Sequence, residues 1–387
     1  MPSALPEGEP VPDDGALPAG ALREVGERTL SIYVHVPFCA ARCGYCDFNT
    51  YTPTELGGAP GTDPLSYLQA AVAELDLAAE TLGPLAPPVS TVFVGGGTPT
   101  LLAADAEVTT EANPESVDEA GLSRLVEAGF TRISFGMQSA VPHVLATLDR
   151  RHAPGRPEWC VGRAKTAGFA STSLDLIYGT PGESLTDWRT SLEAALAAEP
   201  DHVSAYALVV EDGTRLAARV RRGELPAPDD DDLAEKYLLA EEALTAAGLT
   251  AYEVSNWART GADRCRHNLA YWRSAHWWGI GPGAHSHVGG VRWWNVKHPA
   301  RYAARLAGGQ SPASAREVLP AASRRVERVL LELRLAEGLD LAVLAPTERA
   351  RVPAIVERGL ATVAGDRLVL TLPGRLLADG VVRDLLD

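Results

Sequence analysis

No stretch of the chain approaches the roughly 20 uninterrupted apolar residues that a membrane-crossing helix requires. The opening residues, MPSALPEGEPVPDDGALPAG, have neither a basic start nor an apolar run, so no secretory leader is expected and a cytoplasmic location is. Positive charge is in short supply. The 35 Lys and Arg face 50 Asp and Glu, a formal balance of −15, which argues against the basic face that a nucleic-acid partner needs. A few local Arg residues can still hold a small anion. Cysteine is scarce too, five in 387 residues, yet three of the five crowd into CAARCGYC at 39–46. What is present, 46% apolar and 22% charged residues, matches a globular protein with a substantial core. The length suggests two domains.

Thiols in a reducing compartment are rarely paired, so Cys39, Cys43 and Cys46 do not read as a disulfide framework. Clustered cysteines there more often hold metal. Zinc would need a fourth ligand, for which His35 or Asp47 stands close in sequence. An iron–sulfur cluster would use three thiolates and leave one iron open. Spacing alone does not separate the two.

Residues 1–29, rich in Pro, Gly, Ala and Glu and without periodicity, read as a disordered tail. Apolar, β-branched runs then recur at 31–38, 91–96, 107–113, 132–138, 173–179 and 202–210, with helical periodicity between most of them, as in 64–82 and 184–199. Strands alternating with helices imply βαβ units and a parallel sheet. Six units make an α/β fold, an open or partial (β/α)6 barrel over 30–222, with its sites at the carboxyl ends of the strands. One unit is irregular. About ten residues, 97–106, separate the second and third strands, where a crossover normally takes a dozen or more. Either the crossover is unusually tight or the two strands are not neighbours. The acidic, Pro-containing stretch 223–232 reads as a linker running into a helix start, and 233–387 as a smaller mixed domain. From about 321 the order helix, helix and two short strands suggests a winged-helix-like module.

The strand ends gather polar residues. The first runs into the cysteines, and the second ends in Gly95-Gly96-Gly97-Thr98-Pro99, whose glycines let backbone approach a ligand closely. The third ends at Glu111, the fourth at Gly136-Met137-Gln138-Ser139, and the fifth carries Asp175. Singly, each such residue caps a helix as easily as it binds anything. Together they set carboxylates and amides, suited to a nucleoside's hydroxyls and amine, beside three thiols.

With those residues assembled, the pattern resembles a known family. Cys39-x3-Cys43-x2-Cys46, with Tyr45 before the last cysteine, and GGGTP after the second strand are similar to the motifs of radical S-adenosylmethionine enzymes. Y-x-H-x-P-F-C from Tyr33, with TEANP, FGMQS and DLIYGTPGE, narrows the resemblance to the HemN/HemW group, over about residues 31–380. The resemblance implies a 4Fe–4S cluster on Cys39, Cys43 and Cys46, with S-adenosylmethionine chelating its open iron. It implies that Tyr33, Gly97, Thr98, Glu111, Gln138, Arg150 and Asp175 bind that cosubstrate. The zinc reading recedes accordingly. Relatives normally have a helix where 97–106 stands, so this crossover departs from the pattern.

Within the group the resemblance leaves several roles. One is an oxygen-independent coproporphyrinogen III oxidase, another a haem chaperone that hands haem to respiratory proteins and draws on an electron donor, and a third a related radical methyltransferase. The oxidase pattern has a fourth cysteine two residues after the third, and here that position is Phe48. His267-Asn268-x-x-Tyr271-Trp272 resembles the chaperone signature. The haem-chaperone role is therefore expected, with His267 as the candidate haem ligand and Cys265 a competitor. Six of the eight Trp fall between Tyr252 and Trp294, where they could pack on a flat macrocycle. His285 and His287 read as loop-structural residues, and Cys160 as a small buried side chain in a helix.

Overall fold

The computed structural model describes residues 6–58, 61–95 and 106–387. Six strands, β1 (Leu30–His35), β2 (Val89–Gly95), β3 (Glu107–Ala112), β4 (Arg132–Gln138), β5 (Ser171–Tyr178) and β6 (His202–Ala207), lie side by side in chain order, each parallel to the next. This is the expected partial (β/α)6 barrel. Helices at Pro64–Leu82, Glu119–Glu127, Arg156–Ala167 and Leu185–Ala197 make the crossovers. They start where side chains satisfy the first free N–H groups: Asp63, Asp118 and Ser184 each accept from backbone at their helix N-terminus. β2 and β3 are neighbours, with Thr91 beside Glu107 and Val94 beside Thr110. The short crossover therefore joins adjacent strands. Nearly all of it, Gly97 and Thr98 included, lies outside the described residues.

Period-two alternation divides each strand between two environments. Val92, Val94, Val108, Ile133, Phe135, Leu174, Leu176 and Val203 point outward and are buried in the main core with the helices. The residues between them point into the barrel, and there the chain is polar: Ser31, Thr91, Glu107, Thr109, Arg132, Ser134, Ser173, Asp175, His202 and Ser204. A polar interior belongs to a chamber rather than to a packed core.

Two expectations about organisation need correction. The described part of the supposed tail is ordered against the rest. Glu9 pairs with Arg316 in a β-bridge and an ion pair, Ala19–Glu24 is helical, and Val25 is fully buried in the main core. Its Pro and Gly content reflects an extended path over the surface, which composition does not distinguish from disorder. Nor does 223–232 separate two cores. Asp229 caps a helix, Asp230–Ala246, by accepting the Asp232 N–H at 3.0 Å, and the acidic first turn suits the positive end of the helix dipole. The chain then returns to the same sheet. β7 (Thr250–Ala251) and β8 (Asn256–Ala258) extend it beyond β6, while β9 (His276–Ile280), parallel to β1, leads antiparallel β10 (His285–Val288), β11 (Val291–Asn295) and β12 (Ala313–Val318) beyond the other edge. Trp257, Trp278 and Val291 share one core with the barrel. His285 and His287 thus sit in a strand, not a loop.

A separate core begins only near residue 329. Around it, a helix at Ala321–Glu332 and short helices at Pro346–Arg349 and Val352–Glu357 accompany three strands, β13 (Leu339–Asp340), β14 (Ala361–Ala364) and β15 (Arg367–Leu370), in the order β13-β15-β14. The helix Ala378–Leu386 closes over them, an element absent from the sequence-based outline. Among the described residues, no helix is long and apolar enough to cross a membrane.

Candidate functional site

The cysteine loop, residues 36–51, leaves the carboxyl end of β1 and is held at both its ends. Cys39 N–H donates to the Tyr51 carbonyl at 3.0 Å and Tyr51 N–H to the Pro37 carbonyl at 2.7 Å. Asn49 anchors the base: its amide donates to the Pro282 and Lys297 carbonyls at 2.8 and 2.9 Å, and its own carbonyl lies 2.9 Å from His35 Nε2. The other His35 nitrogen meets the Tyr33 hydroxyl at 3.0 Å, so the loop base and a candidate cosubstrate residue share one network. At the tip, Gly44 N–H donates to the Leu148 carbonyl, and Leu216 N–H returns to the Gly44 carbonyl. A Cβ at Gly44 would meet the Asp149 carboxylate, which would have to move aside.

The three thiols are free and partly exposed on this loop. Among the described residues, no three His, Cys, Asp or Glu side chains are already drawn together as a metal centre. The donor set nevertheless fits an iron–sulfur cluster: three soft ligands on one tethered loop, with a guanidinium close by. Arg150 Nη1 stands 3.4 Å from Cys43 Sγ. Burial, and then the charge of neighbouring thiolates, raises the Cys39 and Cys46 thiols above their ordinary range, while Arg42 and Arg150 pull Cys39 back toward the deprotonated form.

Arg150 is positioned from β4. Its Nη2 donates to the Gly136 carbonyl at 2.8 Å. A Cβ at Gly136 would stand 2.6 Å from that guanidinium and 2.8 Å from the Gln138 amide, so the glycine clears space for both side chains. Gln138 itself has φ 64°, in the left-handed region that non-glycine residues avoid, where the pairing of β4 with β5 shifts register. Such a bulge re-aims a side chain. A strained backbone of this kind costs of order 1–3 kcal/mol and clusters at functional sites.

Asp175, on β5, accepts from Ser134 Oγ at 2.9 Å. Glu111 lies one strand beyond Ser134, whose backbone registers with it. Glu111 is exposed to water although protein walls surround it, as expected of a residue lining an open chamber. Enclosure, then the charge of Asp175, raises its carboxyl above the usual range; enclosure also raises Asp175. Two carboxylates that disfavour each other's ionisation are poised to accept hydrogen bonds from a ligand's hydroxyls or ammonium. Tyr33, Glu111, Gln138, Arg150 and Asp175 thus come to the carboxyl half of one barrel beside the thiols. Gly97 and Thr98 lie outside the described residues. A cavity of about 570 Å³ opens beside the loop and is lined by Cys43, Cys46 and Arg150.

His267 is elsewhere. Its helix, Arg266–Trp272, plugs the amino-terminal end of the barrel, opposite the cysteines. The Cys265, Arg266 and His267 segment converges on Glu107, the first residue of β3, whose carboxylate accepts the Arg266 and His267 N–H groups at 2.9 and 3.1 Å. Nδ1 of His267 lies 2.8 Å from Thr91 Oγ1, and Nε2 lies 2.9 Å from the Tyr271 hydroxyl. Thr91 gives its own proton to Ser31, so Nδ1 is the donor and Nε2 the acceptor in a neutral ring. Burial lowers its pKa to about 3. Haem ligation by His267 would have to displace one of these bonds, since both nitrogens are used and the residue is 1% exposed. The competing Cys265 is buried at the same plug. The HNxxYW spacing is legible as a helix in which His267 and Tyr271 meet at i, i+4, which serves packing without a ligand. His267→Ala is expected to lower stability by about 2–4 kcal/mol through unpaired Thr91 and Tyr271 hydroxyls and a small cavity. Thermal unfolding checks this, and an unchanged melting curve would return the histidine to the list of free ligands.

A six-strand parallel barrel with three cysteines after its first strand and a cavity at their side defines a radical S-adenosylmethionine protein. The model of the Radical SAM superfamily matches residues 33–195. The heme chaperone HemW of Mycobacterium tuberculosis is 56% identical over 373 residues, covering 92% of this chain and 94% of that protein. The HemW of Bacillus subtilis is 31% identical, covering 91% and 97%. The chain belongs to the HemW family. Its fold is also that of the solved coproporphyrinogen III oxidase HemN of Escherichia coli, with TM-score 0.77 at 22% identity over 94% of this chain.

Proposed function

We propose that the protein is a haem chaperone that carries a 4Fe–4S cluster and S-adenosylmethionine and delivers haem to haem proteins. The full-length match to HemW at 56% identity carries this reading. The oxidase likeness, at 22% identity, concerns the fold alone. Phe48 at the position of the oxidase's fourth cysteine supports the same choice.

Cys39, Cys43 and Cys46 would hold the cluster, which when bound supplies an open iron and an electron for reductive cleavage of the sulfonium. Arg150 would pair with the cosubstrate's carboxylate, where its guanidinium also offsets thiolate charge. Gln138, Glu111 and Asp175 would hydrogen-bond the amine and ribose, with Tyr33 fixed by His35 beneath them; Gly97 and Thr98 complete the proposed set. The haem recipients would be respiratory proteins, some at the membrane surface, with the chaperone itself in the cytoplasm and reduced by a separate electron donor.

Asp175→Ala is expected to weaken S-adenosylmethionine binding by about 1–3 kcal/mol, the worth of hydrogen bonds to a charged acceptor. Equilibrium dialysis measures it, and an unchanged constant would remove β5 from the cosubstrate site. The function is tested by anaerobic haem titration of the reconstituted protein, with coproporphyrinogen III turnover assayed in parallel. Saturable haem binding without turnover is expected; turnover without haem binding would make it an oxidase.

A further inference from the structure

The cavity beside the cysteine loop carries more cationic chemistry than a cluster and one carboxylate need. Four arginines line it, Arg42, Arg150, Arg151 and Arg215, against two carboxylates, Glu55 and Asp149, in a chain whose formal charge is −15. A cavity walled by charge opposite to the rest of the surface concentrates anions.

Three of the four guanidiniums are occupied. Arg42 pairs with Glu55 at 3.2 Å and donates to the Thr50 carbonyl. Arg215 pairs with Asp149 at 3.3 Å and donates to the Arg42 carbonyl at 2.9 Å. Arg150 is held by the Gly136 carbonyl beside Cys43. The side chain of Arg151 is exposed, and no ion pair or hydrogen bond partners it among the described residues. Phe48, two positions after Cys46, also lines the cavity and is 62% exposed. A large aromatic left in water in a cavity that also holds a free cation forgoes the apolar burial that a ligand could supply.

We propose that Phe48 and Arg151 form the docking subsite for haem at the mouth of the cluster cavity, Phe48 packing on the macrocycle and Arg151 pairing with a propionate. The inference rests on the haem-chaperone reading. A flat apolar ligand with carboxylates at one edge matches an exposed ring and an unpaired guanidinium that line one cavity, and a volume of about 570 Å³ falls in the range of ligand sites, roughly 300–1,000 Å³. The cargo would then lie beside the cluster and cosubstrate, at the opposite end of the barrel from the His267 plug. Chaperone loading and cosubstrate binding would share one chamber.

The test uses the full chain, reconstituted anaerobically and titrated with haem and with haem dimethyl ester, whose propionates are blocked. Arg151→Gln and Phe48→Ser should each raise the haem Kd about tenfold, the equivalent of one lost charge-assisted pair or one lost ring contact. Arg151→Lys should recover most of the affinity. The dimethyl ester should bind the native chain about as weakly as haem binds Arg151→Gln, and lose nothing further in that variant. Both positions are exposed, so iron content, S-adenosylmethionine Kd and melting temperature should be unchanged. If the native chain binds haem and the variants bind it equally well, the subsite is overturned while the chaperone reading stands. If Arg151→Gln loses S-adenosylmethionine affinity instead, Arg151 belongs to the cosubstrate and the subsite is overturned. If the native chain binds no haem, the chaperone reading fails and takes the subsite with it.

Discussion

Cys43→Ala, purified and reconstituted with iron and sulfide under anaerobic conditions, is expected to lack the iron–sulfur absorbance and to hold little iron. Two remaining thiolates, Cys39 and Cys46, leave a four-iron cluster short of ligands, and water does not replace a soft donor. Arg150 Nη1 stands 3.4 Å from Cys43 Sγ, so loss of Cys43 also removes a ligand whose thiolate has a counter-charge at hand. Cys160→Ala and Cys265→Ala serve as controls. Cys160 is buried in the helix Arg156–Ala167 against the Pro114 carbonyl, and Cys265 is buried at the barrel's far end, so either change should keep the full iron content of the native chain. Iron analysis and absorbance decide between outcomes. Full iron in Cys43→Ala, or its loss in Cys160→Ala, would mean that the loop does not hold the cluster as assigned.

The parts of this site legible in the sequence are those where local pattern and position in the fold agree. Strands β1 to β6 alternate polar and apolar residues, and the inward phase of β1, β3, β4 and β5 ends near Tyr33, Glu111, Gln138 and Asp175 respectively. A parallel barrel brings such ends together whatever the loop lengths, so adjacency of these residues follows from strand order. His267 is ambiguous in sequence for a complementary reason. A histidine among aromatics has the same local sequence whether its nitrogens face a ligand or face Thr91 and Tyr271, and Thr91 lies 176 positions away. The strained φ of Gln138 likewise has no local marker, since glutamine is not a residue that announces a left-handed turn. The free guanidinium of Arg151 is hidden the same way: RR at 150–151 reads as two equivalent charges, and only the fold assigns one to Gly136 and Cys43 and leaves the other open.

The buried carboxylate of Glu74 is invisible to such reading altogether, and its replacement should have the largest effect on stability. It lies within the periodic helix Pro64–Leu82, where a charged residue suggests the solvent face, yet it is 1% exposed. Its partners are more than 200 positions away. It accepts from Gly281 N–H and Asn295 Nδ2, each at 2.8 Å, and from the Tyr302 hydroxyl at 2.5 Å. These bonds join the first barrel helix to the extension β9–β11 and the helix Pro299–Ala307. Glu74→Ala leaves three buried donors unpaired and opens a cavity, and is expected to cost about 3–5 kcal/mol.

Glu74→Gln separates charge from packing. Burial raises the native carboxyl to about 7 from an ordinary 4.5, despite the three donors that pull it down. Between those values the folded chain binds more protons than the unfolded one, so this group's contribution to stability is present in full below pH 4.5. It is lost as pH rises through 7, and at 1.36 kcal/mol per pKa unit the loss is about 3 kcal/mol. Glutamine does not titrate. Urea unfolding of both chains from pH 5 to 8 should therefore show the native chain losing stability relative to Glu74→Gln across that interval. Glu183 and Glu253, whose carboxyls burial also raises, are common to both chains and cancel in the difference. Parallel pH profiles would mean that Glu74 stays ionised throughout, with Gly281, Asn295 and Tyr302 together outweighing the cost of its burial.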